Sequence, residues 1–205
     1  MTETLRRIIR MDTGDELFGY YTERGIFYLD SEIEEGMPSM FSMSLLKCHS
    51  RADKDKPILV ILNSPGGQTN QGFAIYDVLR MIALDGRLVN ILCMGTVASM
   101  ATFVLQAGTK RFSLPHTQFL IHEVSQFTFG EEKVSDGEER VGENRRINTI
   151  VMHGIAKRIG MEPAELVKLS KKKDYWLGAE DALKLGEHGL IDEITEASLF
   201  DLVTV

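Results

Sequence analysis

Two short runs of this chain are apolar without alternation. They are Pro57-Ile58-Leu59-Val60-Ile61-Leu62-Asn63 and Leu88-Val89-Asn90-Ile91-Leu92-Cys93-Met94. A strand with one face in water shows a polar residue at every second position, whereas a strand covered on both faces does not. Ser64-Pro65-Gly66-Gly67 turns the chain after the first run, and Thr69 to Leu84 then has helical spacing. Strand, helix and strand joined by short links predict a parallel sheet built from right-handed crossovers. The chain is therefore expected to be α/β.

The remaining pattern fits around that unit. Gly25-Ile26-Phe27-Tyr28-Leu29-Asp30 predicts a first strand, Glu35 to Cys48 a helix, and Lys54-Asp55-Lys56 a solvated loop. Ala98 to Ala107 predicts a short buried helix closed by Gly108, and Phe119-Leu120-Ile121-His122 a further short strand. Ser125 to Arg146 is charged, with few apolar positions, and predicts an exposed hairpin running into a long helix that leaves the globular body. Another helix begins near Pro163, and Leu190-Ile191-Asp192-Glu193-Ile194 predicts a final strand. No internal repeat is visible, so residues 1–205 are expected to be one domain, with 1–24 as a mobile N-terminal segment and about 125–160 as a protruding region.

Composition narrows the partners. The 205 residues carry a formal charge of −7, and the pI is near 5.3, which argues against a nucleic-acid backbone as ligand. Cys48 and Cys93 are too few for a disulfide framework, and no Cys/His cluster has zinc spacing. Nothing at the start has signal-peptide form, and no window approaches the ~20 apolar residues of a membrane span. A cytoplasmic protein without metal or cofactor is expected.

Chemistry is most plausible at Gly95-Thr96-Val97-Ala98-Ser99-Met100, where the second apolar run gives way to the buried helix. Ser99 is the hydroxyl at the helix head, beside free backbone amides and the positive dipole end. A serine there also serves packing or capping. A serine nucleophile needs a base, and the base needs a carboxylate to hold its tautomer. His122, at the end of a strand, is a candidate base, and equally a structural histidine. Asp174, between Lys171-Lys172-Lys173 and Tyr175-Trp176-Leu177, is a candidate carboxylate, or a helix-terminating residue paired with a lysine. The glycines after Asn63-Ser64-Pro65 allow close approach of a ligand, and equally make an ordinary tight turn.

Five segments in fixed order make the pattern specific. They are Asn63-Ser64-Pro65-Gly66-Gly67; Gly72-Phe73-Ala74-Ile75-Tyr76-Asp77; Gly95 to Met100; Ile121-His122; and Asp174 with Trp176 to Ala182 and Gly189-Leu190-Ile191-Asp192. Over roughly residues 25–195 this resembles the ClpP family, the proteolytic subunit of the ATP-dependent Clp protease. The resemblance implies a ClpP/crotonase-like spiral of ββα units with a protruding strand-and-helix handle. It implies a triad of Ser99 as nucleophile, His122 as general base and acid, and Asp174 as orienting carboxylate. Backbone amides of Gly67 and Met100 would form the oxyanion hole. It further implies serine endopeptidase activity on unfolded polypeptide, inside a chamber of two stacked seven-membered rings fed by an AAA+ unfoldase. ATP would be spent by that partner, since this chain has no GxxxxGK[ST] loop.

The chain departs from the family's pattern in several places. Glu123-Val124 stands where the family usually has Gln-Pro, and the handle start is far more charged. Lys172 and Lys173 replace an Asp-Arg pair that links rings, and Leu59 and Ile61 replace tyrosines of the unfoldase docking pocket, leaving an apolar one. Two other readings remain at this point. One is a catalytically silent ring subunit regulating an active paralogue. The other is a crotonase-like acyl-CoA enzyme, in which paired amides stabilise a thioester enolate.

Overall fold

The computed structural model describes residues 19–51, 55–125, 133–171, 173–199 and 201–203. The expected mobile segment, 1–24, lies outside the described residues up to position 18; residues 19–22 are helical, and Tyr21 packs edge-on to Tyr28 at 6.0 Å. The chain then runs β1 (Ile26–Leu29), α1 (Met37–His49), β2 (Ile58–Ser64), α2 (Thr69–Leu84), β3 (Val89–Ala98), α3 (Met100–Leu105), β4 (Lys110–Ser113) and β5 (Gln118–Ile121). It continues as α4 (Val134–Ile159), α5 (Pro163–Ser170), β6 (Tyr175–Gly178), α6 (Ala179–Leu183) and β7 (Glu193–Ile194), ending in a 3-10 turn at Asp201–Val203.

The fold is α/β, with one mixed sheet. Strands β1-β2-β3-β4-β7 lie side by side and parallel, while β5 pairs with β3 and, antiparallel, with β6. β2 is buried along almost its whole length, as its unbroken apolar run requires. β3 is longer than the sequence predicts, because it does not stop at Gly95. Its first half, Asn90–Cys93, pairs with β4, and its second half, Thr96–Ala98, pairs with β5. The break is prepared on the other side by a register shift against β2 between Leu62 and Ser64. There Asn63 Oδ1 accepts the Thr96 N–H at 3.0 Å. A side chain at Gly95 (φ +61°) would come within 2.6 Å of that same oxygen.

Two further expectations need correcting, and one is met as far as the described residues reach. The helix after Ser99 ends at Leu105, and Gly108 is not its left-handed cap; Gly108 sits in a tight spot, where an added Cβ would lie 3.1 Å from both Ile91 Cγ1 and the Lys110 carbonyl. The long helix expected after Ser125 is present as the 26-residue α4, which carries the charged residues from Asp136 to Arg146; the expected hairpin falls on 126–132, outside the described residues. The last strand is only Glu193–Ile194, because Leu190 and Ile191 are buried in the turn before it. β4 and β6 are too short to show a period, and the sequence reading passes over them.

The larger core lies between the sheet and α1 to α4, including Phe27, Leu45, Val60, Leu79, Phe103, Val104, Ile155 and Ile159. A second cluster on the opposite face joins Ile26, Leu59, Ile61, Leu92 and Phe112 to Leu202 of the C-terminal turn. Asn90 Nδ2 donates to the Leu202 carbonyl at 3.0 Å and holds that turn down. The apolar pocket expected at Leu59 and Ile61 is thus covered by the chain itself.

One buried cation ties the C-terminal segment to the sheet. Arg111 on β4 is fully buried, and its guanidinium reaches Asp192, Gln106 Oε1 and the carbonyls of Gly189 and His188. Its backbone N–H donates to Asp192 Oδ2 at 2.7 Å. Partial burial pushes the Asp192 carboxyl up, but Arg111's hydrogen bonds and charge outweigh this and hold it below the ordinary carboxylate value. That stabilisation is fully present above the unfolded carboxylate's pKa of about 3.9, and is lost as pH falls through the lower folded value. Asp192→Asn leaves a buried cation without its counter-charge and is expected to cost about 3 kcal/mol at pH 7. Urea unfolding at pH 7 and at pH 3 checks this: the variant's deficit should shrink at the lower pH.

Candidate functional site

Ser99 stands between β3 and α3 with φ 54° and ψ −124°, and is the one non-glycine residue with positive φ among the described residues. A side chain in that region costs about 1–3 kcal/mol and persists only where its surroundings over-determine it. Here they do. The Ser99 N–H donates to the Leu120 carbonyl of β5 at 2.9 Å, and its own carbonyl accepts from Thr102 N at 3.0 Å and Thr102 Oγ1 at 2.6 Å. Below it, Gly66 is packed so closely that a Cβ would lie 2.7 Å from Ser99 Cβ and 2.6 Å from the Ala98 carbonyl. Met100 in turn lies over Gly72 of α2, where a Cβ would be 2.3 Å from Met100 Cγ.

The glycine turn is held as firmly. Buried Ser64 donates its hydroxyl to the Ser31 carbonyl at 2.6 Å and accepts the Gly66 N–H at 3.1 Å. Ile33 N–H donates to the Gly66 carbonyl at 2.7 Å, and Gln68 N–H to the Ile33 carbonyl at 2.8 Å. These bonds use the amides of Gly66 and Gln68 and leave that of Gly67 between them. Among the described residues neither the Gly67 nor the Met100 N–H has a protein acceptor, and both residues line the cleft that opens over Ser99.

That cleft has a volume of about 850 Å3. One wall is the segment from Pro65 to Gln71 with Glu32; the other is α4, through Arg140, Glu143, Asn144, Ile147 and Val151. Met100, Ile121, Ile147, Val151, Met152 and Ile155 give its apolar part, while Glu32, Arg140 and Glu143 bring charge. Glu143 is bonded to Arg146 at 2.6 and 2.8 Å, which holds its carboxyl below the ordinary range.

Of the five expected site residues, Ser99, His122, Gly67 and Met100 line this one cleft, and Asp174 does not. Asp174 is exposed and precedes β6. The last pair of the β5–β6 ladder is Ile121 with Tyr175, so one more step of the same register sets His122 opposite Asp174. Directly opposed side chains have Cβ atoms about 5 Å apart, within reach of a hydrogen bond after a change of rotamer. Among the described residues no hydrogen bond joins Ser99 to His122, or His122 to Asp174, and none pairs Asp174 with a lysine. His49 does pair with a carboxylate, that of Asp85 at 3.1 Å, and neither lines the cleft.

Sequence reasoning missed the supports of this site. Asn63 and Ser64 were read only as part of a turn, although their side chains fix the β3 bend and the glycine loop. Asn148 of α4, whose Oδ1 accepts the Val124 N–H at 3.0 Å, drew no notice. An asparagine in mid-helix is a poor helix former, which is the signal that could have marked it.

Fold and cleft define an α/β protein in which a strained strand-to-helix serine lines a mixed apolar and charged cleft. Residues 11–198 match the family model described as Clp protease. The chain is 35% identical over 179 residues to "ATP-dependent Clp protease proteolytic subunit 3" of a Synechococcus strain, covering 85% of each. It is 36% identical over 179 residues to proteolytic subunit 2 of Prochlorococcus marinus, again covering 85% of each. It is 37% identical over 173 residues to the proteolytic subunit of Porphyromonas gingivalis, covering 83% of this chain and 73% of that one. The chain belongs to the Clp protease family. Among the described residues no helix is long and apolar enough to cross a membrane.

Strain at Ser99 makes a measurable forecast. Ser99→Ala keeps the left-handed backbone with a Cβ, whereas Ser99→Gly removes the Cβ that makes it costly. The glycine variant is expected to be about 1 kcal/mol more stable than the alanine variant, despite glycine's larger unfolded-state entropy. Thermal unfolding of the two variants side by side reads the difference.

Proposed function

We propose that the protein is a serine endopeptidase acting on unfolded polypeptide, with Ser99 as nucleophile, His122 as general base and acid, and Asp174 as the carboxylate that orients it. The observation that carries this reading is the strained Ser99 turn, set in one cleft with His122 and with two unbonded amides, Gly67 and Met100. In the reaction His122 takes the Ser99 hydroxyl proton as Oγ attacks the scissile carbonyl, then gives that proton to the leaving amine. Water, deprotonated by the same imidazole, cleaves the acyl-serine and restores the hydroxyl. The negative oxygen of each tetrahedral intermediate is received by the Gly67 and Met100 amides, each worth about 3 kcal/mol of transition-state stabilisation. The exposed place of Asp174 fits a triad that tightens only when substrate or neighbouring subunits load the β5–β6 edge.

The relatives are named as proteolytic subunits of an ATP-dependent protease. We carry this over as assembly: stacked seven-membered rings of this chain in the cytoplasm, enclosing the clefts, with an AAA+ unfoldase that hydrolyses ATP and threads substrate inward. Neither metal nor organic cofactor enters the reaction. The covered face at Leu59 and Ile61 makes the unfoldase contact the part of this assembly most open to variation.

Two measurements test the proposal. Wild type should react with a fluorophosphonate probe and cleave a fluorogenic peptide, and Ser99→Ala should lose both by at least about 10⁴-fold, with His122→Ala close behind. A wild-type protein that does not label, yet joins a mixed ring with an active subunit, would instead identify a silent regulatory chain. Native mass spectrometry gives the ring count, with fourteen copies the expected mass (two rings of seven).

A further inference from the structure

His122 is the first residue beyond the β5–β6 ladder, whose last pair is Ile121 with Tyr175. Strand partners therefore hold its backbone on one side only. Two residues on, the Val124 N–H donates to Asn148 Oδ1 at 3.0 Å. Asn148 lies in the middle of α4, next to Ile147, which lines the cleft together with His122 and Val124. The side chain of Val124 packs against the main core.

Two features make this bond more than a surface contact. Asparagine is among the weaker residues for a helix interior, because its side chain competes for backbone groups. Asn148 spends its carbonyl oxygen on another segment, so its place in α4 is explained by what it holds. The donor also exists only because residue 124 is not proline, which has no N–H to give. Glu123-Val124 thus supplies an amide that Asn148 accepts, and residues 122–124 are fixed between the sheet edge and α4.

We propose that Asn148 is a positioning residue for His122: its bond to Val124 sets the backbone from which the imidazole reaches Ser99. The inference rests on the reading of His122 as general base. A base displaced by about 1 Å can lose on the order of 100-fold in rate, while substrate binding in the cleft is untouched. The expected signature is therefore a fall in turnover and in acylation rate with little change in KM.

The test uses the full, assembled chain and two readouts, hydrogen exchange at the Val124 amide and the rate of fluorophosphonate labelling. In Asn148→Ala the Val124 amide should exchange at least about tenfold faster, and labelling should slow roughly tenfold with peptide KM within about twofold. Asn148→Asp retains an acceptor oxygen and should restore both readouts towards wild type. Should Asn148→Ala fail to assemble, Val124→Pro removes the donor instead, and adding Asn148→Ala to it should slow labelling no further. Unchanged Val124 exchange in Asn148→Ala would overturn the clamp. Faster exchange with labelling at the wild-type rate would overturn the positioning role and leave the Ser99–His122 reading intact. Equal labelling of wild type and His122→Ala would remove the base assignment, and the role of Asn148 with it.

Discussion

Everything around the cleft depends on one requirement: strand β3 must hand over to a buried helix within a single residue, Ser99. A gradual turn would need several residues, each bringing amides and carbonyls into an apolar interior that could not satisfy them. The chain solves this with a conformation that L-residues avoid, and then surrounds it with bonds. Leu120 takes the amide, Thr102 donates to the carbonyl twice, and Gly66 packs beneath so closely that a Cβ on it would lie 2.7 Å from Ser99 Cβ. What remains unspent at the junction is the serine hydroxyl and the Met100 amide. The strain is thus the means by which a hydroxyl and a backbone donor emerge together at one end of a closed core.

The sheet is arranged around the same junction. β3 serves β4 with its first half and β5 with its second, and Asn63 stabilises the change of partner by holding Thr96. That split lets β5 bring His122 to the rim of the cleft that Ser99 also lines, while β4 turns away to meet β7. Arg111 secures the diverging branch, since its buried guanidinium and its amide gather Asp192, Gln106 and two carbonyls into one network. The cation gains nothing from burial as such; it specifies where the C-terminal segment must lie.

How much of this was legible beforehand follows from length scale. β2 and α2 are legible almost to the residue, because five consecutive apolar residues in a seven-residue strand and a sixteen-residue helix each carry a full pattern. β4 and β6 span four residues each and carry no pattern, so their strand character is decided by the neighbours they pair with. Gly95 looked like an end because glycine usually punctuates, yet here it marks a bend inside a strand that continues to Ala98. Ser99, His122, Gly67 and Met100 were readable as a set through the order of their motifs, and one cleft gathers them. The exposure of Asp174, and the work of Ser64 and Asn148, were not readable, because each depends on a partner 24 or more residues away in sequence or on a strand edge that no local window contains.

The Leu120 carbonyl that receives the Ser99 amide has a consequence for the chain's birth. During synthesis, residue 99 leaves the ribosome well before residue 120, and Ser64 to Gly67 are by then already exposed. Without β5 nothing holds the amide, so the left-handed turn relaxes and the serine remains an ordinary hydroxyl on a disordered chain. The junction closes only when β5 docks on β3, an event that also buries Phe119 and Ile121. A growing polypeptide therefore carries no formed strand-to-helix turn at Ser99: its closure is timed by a single backbone carbonyl twenty-one residues downstream.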